Sequence, residues 1–231
     1  MREQVITREV TSESVQNYLK TICHLTVNGK PASTQDIAGQ LGVSAPGVTK
    51  MLRHLAANNL IHYVPYQPVR LTESGERIAL EVIRHHRLLE LYLTDSLGYG
   101  WEEAHAEAER LEHYISEEFE ASIDRLLGYP EFDPHGDPIP TRDGKMPPPV
   151  TQTLDSQADG ARVTVRRVTD EDPALLRYLG ERCLRPGTSV IIVEREPFGG
   201  SLLVEIGGRR ERVSPMAAQN VFVTPDNGAR E

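Results

Sequence analysis

The sequence contains few cysteines, few aromatic residues and no long apolar run. Its 231 residues include only Cys23 and Cys183 as cysteines, so free thiols are expected instead of a disulfide framework. No stretch approaches the roughly 18 apolar residues of a membrane helix, and the polar first ten residues lack the apolar centre of a signal peptide. These absences predict a cytoplasmic protein with no membrane partner.

Acidic residues outnumber basic ones, which at first argues against a nucleic-acid partner. The formal net charge is −9, but residues 1–73 carry seven Lys and Arg against five Asp and Glu. Residues 74–128 carry five against thirteen, so the excess acid is concentrated in the middle of the chain. Because partners respond to the field of a domain and not to the total charge, only the first segment is predicted to bind DNA.

The first segment has the pattern of a winged helix-turn-helix. Apolar residues recur at helical spacing to about residue 27, a short helix follows Ser33, and Gly42 permits a tight turn. Ser44 is predicted to cap a third helix, and β-prone residues 61–64 and 69–72 can form a short hairpin after it. A capped helix after a Gly turn, followed by a wing, predicts double-stranded DNA as the partner.

The third helix supplies the candidate DNA contacts. Small and hydroxyl residues at its leading end allow close approach to a groove, and the cations on its polar face can reach phosphates or guanine edges. The candidates are Ser44, Pro46, Gly47, Thr49, Lys50 and Arg53. The alternative is a helical hairpin whose charges are only solvated.

Residues 101–122 are predicted to form one helix with a metal-binding patch. On a helical wheel one apolar stripe runs from Ala104 to Phe119, and beside it lie the side chains His105, Glu109, Glu112 and His113. Two carboxylates and two imidazoles at a helix–helix seam suit a divalent transition metal. The alternative is a charged surface helix with incidental histidines.

Residues 74–97 are predicted to form the longest helix. His86 and Glu90 lie inside its apolar arc, where an unpaired carboxylate is costly, so they either satisfy each other or bind a cation. A second apolar face is formed by Leu80, Leu88 and Leu91. More apolar surface than one core needs predicts a subunit interface and therefore a homodimer.

The remaining chain divides into a Pro-rich segment and a β-rich segment. Four predicted short strands and one helix after residue 160 are typical of a small β-barrel. The predicted fold is α+β multidomain: a winged helix-turn-helix at 1–73, a helical metal-binding and dimerisation domain at 74–129, a linker at 130–159 and a barrel at 160–231.

Four stretches together resemble the diphtheria-toxin-repressor family of metal-dependent transcriptional regulators. They are VSAPGVTKMLRHLAANNLI, HHRLLELYLTDSLG, AHAEAERLEHYIS and HGDPIP. The resemblance covers almost the whole chain, and the last seventy residues are similar to the SH3-like domain of that family. It implies a non-enzymatic regulator, a repressor of metal-uptake genes. Because the second apolar face predicts a two-fold dimer, the operator is predicted to be palindromic.

The resemblance also implies two metal positions. The ancillary position would use His86, Glu90 and His105, and the primary position would use Glu109, Glu112 and His113. A carboxylate at Glu109, where iron-responding members have cysteine, favours Mn²⁺ over Fe²⁺, although Fe²⁺ accepts the same ligands.

The sequence departs from the family pattern on the first helix. The ligand there aligns with Asn17, whose amide adds no charge, and Lys20 replaces a second carboxylate, which argues against a closely spaced binuclear site. The loop TDEDP, with Asp170, Glu171 and Asp172, could lend a ligand from the SH3-like domain to the ancillary position.

Two other functions remain possible from the sequence alone. A winged-helix regulator could answer a non-metal signal, although a buried His86 and Glu90 weigh against it. A helical-bundle metalloenzyme would need two Glu-x-x-His motifs, and the chain has one, at Glu102 to His105.

Overall fold

The computed structural model describes residues 12–27, 32–148, 150–169 and 172–226. The chain divides into two compact units. The first contains the residues up to His85 together with Glu112–Ile115 and Pro140–Met146, and the second contains the rest. The predicted breaker at residues 28–31 lies outside the described residues.

The first unit is a winged helix-turn-helix. Its elements are α1 (Glu13–Val27), α2 (Thr34–Leu41), α3 (Ala45–Ala57), the antiparallel pair β1 (Ile61–His62) and β2 (Arg70–Leu71), and the first half of α4 (Glu73–Asp95). Its core is built on fully buried side chains, among them Leu19, Ile22, Ile37, Leu52, Leu55 and Ile83.

The predicted helix caps of this unit are confirmed. Ser33 and Asp36 form a reciprocal capping box at the start of α2, and Gly42 ends that helix with φ +64°. Ser44 accepts a hydrogen bond from the Gly47 N–H at the start of α3. These caps satisfy backbone groups that a helix end leaves unpaired, so they position α3 after a tight turn.

The second unit combines helices with a sheet. Its first helical segments are the end of α4, α5 (Trp101–Leu111) and α6 (Glu117–Leu126). A short 3-10 helix (Leu154–Ser156) precedes the sheet, which contains β3 (Arg162–Val168), β4 (Ser189–Arg195), β5 (Leu202–Ile206), β6 (Arg209–Val213) and β7 (Val221–Pro225). The strand order is β6-β5-β4-β3-β7, with every neighbouring pair antiparallel. The helices α7 (Pro173–Glu181) and α8 (Pro215–Ala218) accompany it.

The prediction of one continuous helix over residues 101–122 is wrong. The chain leaves the helix after Leu111 and re-enters one at Glu117, where the Ser116 hydroxyl accepts a hydrogen bond from the Phe119 N–H at 3.2 Å. Three carboxylates in the first turn of α6 also favour a new N-terminus. The predicted apolar stripe is therefore broken after Ala108: Leu111 and Phe119 are exposed, at 36% and 40%, although Ile115 is buried.

Three further expectations need correction. The Pro-rich segment is no simple spacer, because Asp133, His135 and Ile139 are buried. Leu80 and Leu88 are buried within the chain, so they do not form a surplus face. β6 was not expected, because its sequence RRERV lacks an apolar alternation.

Among the residues that the structure describes, no helix combines the length and the apolar character of a membrane span.

Candidate metal centres and DNA-binding helix

His86, Glu90 and His105 converge in the second unit. His86 and Glu90 lie one turn apart on α4, and His105 is on α5. The Nε2 atom of His86 is 3.0 Å from Oε1 of Glu90 and 3.1 Å from Nδ1 of His105, and that Nδ1 is 3.0 Å from the same carboxylate oxygen. The structure thus places all three residues of the expected ancillary position together.

The chemistry of this triangle suits a cation. The carboxylate oxygen only accepts, so both imidazole nitrogens would have to donate to it, and two N–H groups would then face each other across 3.1 Å. A divalent ion needs lone pairs from all three atoms, and bond lengths of about 2.1 Å are compatible with edges near 3 Å. The three side chains therefore fit a metal better than they fit one another.

The ionisation of Glu90 is also compatible with a bound cation. Burial alone would raise the pKa of this fully buried carboxyl, but attraction to His86 and contacts with His105 and His135 hold its pKa well below the usual range. Glu90 is therefore a carboxylate, the form that binds metal.

Glu109 lies beside this triangle. It follows His105 by one turn of α5, and its Oε1 is 3.9 Å from His86 Nδ1 and 4.0 Å from His105 Nε2. Its side chain is 42% exposed, so it is accessible to solvent and ions. Its expected role in the primary position stays a prediction.

A second trio, not expected from the sequence, uses the other oxygen of Glu90. Glu90, Asp133 and His135 are all buried, with one potential ligand atom of each inside 4.8 Å of the others. Oε2 of Glu90 is 3.6 Å from Nδ1 of His135. Within the described residues, neither that Oε2 nor Oδ2 of Asp133 has a hydrogen-bond partner. Two buried carboxylate oxygens without hydrogen-bond donors form a candidate binding site for a cation.

The tautomer of His135 also favours a cation at this trio. Its Nε2 is 2.9 Å from the backbone oxygen of Trp101, which can only accept, so Nε2 carries the proton. In the neutral ring the lone pair on Nδ1 then faces the two carboxylates. A histidine fixed by a backbone carbonyl on one nitrogen and presenting the other is the usual arrangement of a metal ligand.

Negative charge is crowded at this trio. Burial raises the pKa of Asp133 well above its usual range, and the nearby carboxylates Glu90 and Asp137 raise it further, while Arg87 opposes them. Nε of Arg87 is 3.7 Å from Asp133, so one cation already lies beside the cluster. Mutual repulsion of carboxylates in a buried site is relieved by a bound metal ion.

The loop that carries Asp133 and His135 has its own local geometry. Oδ1 of Asp133 accepts hydrogen bonds of 2.9 Å from the backbone N–H groups of His135 and Asp137. Gly136 has φ +89°, and a Cβ there would lie 1.9 Å from the Arg166 oxygen. The prolines of this segment led to its prediction as a linker. Asp-Pro-His-Gly-Asp, three metal-binding side chains around a turn, was the signal that could have revealed the loop.

Glu112 and His113 belong to the first unit, where they contact α1. Nζ of Lys20 donates to both oxygens of Glu112, at 2.9 and 2.8 Å. Nδ1 of His113 donates to Oε1 of Gln16 at 2.6 Å, which leaves Nε2 of His113 at 3.4 Å from Oε1 of Glu112. Nδ1 of His85 contacts the backbone oxygen of Glu112 at 3.1 Å. A carboxylate oxygen and an imidazole nitrogen this close can both bind one ion.

Asn17 and the TDEDP loop are the sequence candidates for completing the two metal positions, and the described residues show a ligand role for neither. α1 turns Gln16 and Lys20 toward Glu112 and His113, while Asn17 is half-buried and its role as a ligand stays a prediction. Of the TDEDP residues, Asp170 and Glu171 lie outside the described residues. Asp172 caps α7 by accepting a hydrogen bond from the Ala174 N–H at 2.8 Å.

The candidate DNA contacts lie on one capped helix in the first unit. Ser44, Pro46, Gly47, Lys50 and Arg53 are exposed, and Thr49 is half-buried. Val48, Leu52 and Leu55 occupy the opposite, buried face of α3. The helix therefore anchors one face in the core and presents the cations Lys50 and Arg53 to solvent.

Comparison with protein families covers most of the chain. Residues 10–69 match the iron-dependent repressor N-terminal DNA-binding domain, and residues 72–141 match the iron-dependent repressor metal-binding and dimerisation domain. Residues 152–225 match the FeoA domain.

Individual relatives agree with these matches. The chain is 33% identical over 204 residues to the iron-dependent repressor IdeR of Mycobacterium tuberculosis, covering 83% of this chain and 88% of that protein. Among solved structures, a manganese-dependent transcriptional repressor in complex with manganese is 39% identical with a TM-score of 0.83, covering 91% of this chain and 99% of that one. The manganese regulator SloR is 30% identical with a TM-score of 0.74, covering 91% and 98%.

Proposed function

Because the chain belongs to the diphtheria-toxin-repressor family of metal-dependent, DNA-binding transcriptional regulators, we propose that it is a repressor activated by Mn²⁺. In this proposal it binds a palindromic operator as a two-fold dimer and represses genes for metal uptake. The matched dimerisation domain supports the dimer, and a two-fold protein reads a two-fold site.

The donor atoms of the metal clusters carry the choice of metal. Within the described residues, the clusters at Glu90 offer carboxylate oxygen and imidazole nitrogen and no thiolate. Cys23 is buried in the helical core of the first unit, and Cys183 lies after α7. Hard oxygen ligands with imidazole suit Mn²⁺, whereas sulfur favours softer ions.

Metal at Glu112 and His113 would act on the DNA-binding unit directly. Both residues contact α1, which packs in the same core as α3. The metal would neutralise Glu112 and hold the chain after α5 against the helix-turn-helix. A preference of a few kcal/mol for the binding-competent geometry is enough to shift the population.

Fe²⁺ is the second candidate. The same oxygen and nitrogen donors accept it, and the relative from Mycobacterium tuberculosis is named an iron-dependent repressor. A comparison of the two ions under anaerobic conditions separates the candidates, because Fe²⁺ then stays reduced.

An electrophoretic shift assay on the upstream region of the chain's own gene tests the proposal. The shift should require added metal, occur at lower Mn²⁺ than Fe²⁺, and disappear with a chelator. Metal-independent binding, or no binding at any metal concentration, would contradict it.

A pair of variants on α5 separates metal sensing from surface charge. Glu109→Ala should raise the Mn²⁺ needed for the shift by about tenfold or more, because it removes a predicted ligand. Glu103→Ala removes an exposed carboxylate from the same helix and should leave the Mn²⁺ requirement unchanged. Equal responses of both variants would mean that Glu109 is only a solvated side chain.

A further inference from the structure

Lys20 occupies the position on Glu112 where a metal ion would bind. Its ammonium is 2.9 Å from one carboxylate oxygen and 2.8 Å from the other, so it straddles the group as a chelated cation does. The Glu112 side chain is 0% exposed and the Lys20 side chain 10% exposed. The ion pair is therefore buried, and the lysine neutralises a carboxylate that water does not reach.

The lysine and a metal ion compete for the same oxygens. A divalent ion bound to Glu112 would be repelled strongly by an ammonium on the same carboxylate, since the protein interior screens charge poorly. The lysine stem is flexible and its charge is a compact point, so it can leave the carboxylate without moving α1. Gln16 differs from Lys20 because its Oε1 accepts a hydrogen bond from Nδ1 of His113. This contact leaves Nε2 of His113 available to a metal ion, so it can persist after metal binds.

We propose that Lys20 is a built-in competitor that sets the metal threshold at Glu112 and His113. In metal-free protein it neutralises Glu112 and keeps the residues after α5 packed against α1. When metal binds, the ammonium leaves and the ion takes both roles. The inference rests on the proposed function, because it assumes that Glu112 and His113 bind the activating metal.

Titration with Mn²⁺, followed by the paramagnetic resonance signal of the free ion, tests the proposal. The class of sites that Glu112→Gln removes is assigned to Glu112. For that class, Lys20→Met should bind Mn²⁺ about tenfold or more tightly than the parent, whereas Lys20→Arg, which keeps a cation, should not gain affinity. Lys145→Met is the matched control, because it removes the same charge from an 80% exposed side chain of the same unit.

Thermal unfolding of the metal-free protein gives an independent readout. Lys20→Met leaves Glu112 buried without its ammonium, so its midpoint should fall below that of the parent, and saturating Mn²⁺ should restore it. If Lys20→Met does not fold without metal, Lys20→Gln supplies both comparisons. Lys145→Met should unfold like the parent.

The outcomes distinguish a failure of the proposed function from a failure of the inference about Lys20. A parent protein that binds no Mn²⁺ overturns the proposed function and this inference with it. A parent that binds Mn²⁺ with the same affinity as Lys20→Met, or more tightly, overturns the inference alone, because lysine then does not compete for Glu112.

Discussion

Glu90 joins two clusters through the two oxygens of one carboxylate. Oε1 contacts His86 and His105 at 3.0 Å, and Oε2 faces His135 at 3.6 Å. Since the residue is fully buried, its charge has to be balanced by neighbouring groups or by a cation. The pKa of Asp133 changes in the opposite direction to that of Glu90, because burial and the nearby carboxylates raise it. The carboxylate is thus the point at which the metal-binding side chains of α4, α5 and the 133–137 loop meet.

Replacement of Gly136 by alanine should displace the 133–137 loop from the Glu90 carboxylate. The new Cβ would lie 1.9 Å from the Arg166 oxygen and would also sit at φ +89°, so the loop must move away from β3. We expect Gly136→Ala to lower the free energy of unfolding by about 2 kcal/mol or more and to lower Mn²⁺ affinity at the Glu90 clusters. Trp101 stacks on His135 with ring centroids 5.5 Å apart, so its fluorescence during urea unfolding reports on this loop.

Gly187 provides the matched control in the same unit. It has the same φ of +89°, but a Cβ there meets nothing within 4 Å. Gly187→Ala should therefore cost only the backbone strain, about 1–2 kcal/mol, and leave Mn²⁺ binding intact. Equal loss of Mn²⁺ affinity in both variants would show that the loop contact does not position the cluster.

The two clusters differ in how far the sequence predicts them. His86 and Glu90 lie one turn apart inside an apolar arc, so helical spacing alone places a buried carboxylate beside an imidazole. Asp133 and His135 reach the same carboxylate through a loop held by hydrogen bonds of Asp133 and by Gly136. No periodicity describes such a loop, so its contribution could not be derived from the spacing of residues.

At the scale of elements, helix caps predict the structure well where apolar spacing agrees with them. The caps Ser33 and Ser44 define α2 and α3 almost to the residue. The apolar spacing continues through residues 101–122 and by itself predicts one helix. Ser116 and the acidic turn after it start a second helix instead, since a cap with three following carboxylates outweighs a weak stripe.

α3 is the element expected to read DNA, and Lys50 tests it. Reversing the charge of this side chain would place a carboxylate against the phosphate backbone on an exposed helix face. We expect Lys50→Glu to weaken operator binding by about a hundredfold or more at physiological salt, with dimer and metal content unchanged. Electrophoretic shifts, light scattering and elemental analysis on one preparation measure all three.

Charge reversal elsewhere in the unit controls for the overall field. Lys145 is exposed and paired with Asp143, so Lys145→Glu makes the same change in net charge. It should weaken DNA binding far less than Lys50→Glu. Similar losses in both variants would show that binding depends on the general charge and not on α3.

At the scale of the whole molecule, the distribution of charge fits a regulator better than the total does. The excess of acid in residues 74–128 coincides with the matched metal-binding and dimerisation domain, and the first 73 residues are slightly basic. Exposed apolar side chains in the second unit include Leu97, Phe119 and Leu126. These three belong to the exposed apolar surface that a subunit contact could cover, whereas Leu80 and Leu88 are buried.

Operator symmetry gives the test at this scale. A two-fold dimer presents its recognition helices to successive major grooves, about 34 Å apart on one face of the duplex. Inserting about half a helical turn, roughly 5 base pairs, between the half-sites would turn one of them to the opposite face. We therefore expect the affinity of the Mn²⁺-loaded protein to fall to that of a single half-site. Shift assays on the two operators, with light scattering of the free protein, measure the effect. Unchanged affinity after the insertion, or a stable monomer at micromolar concentration, would rule out a dimer of fixed geometry.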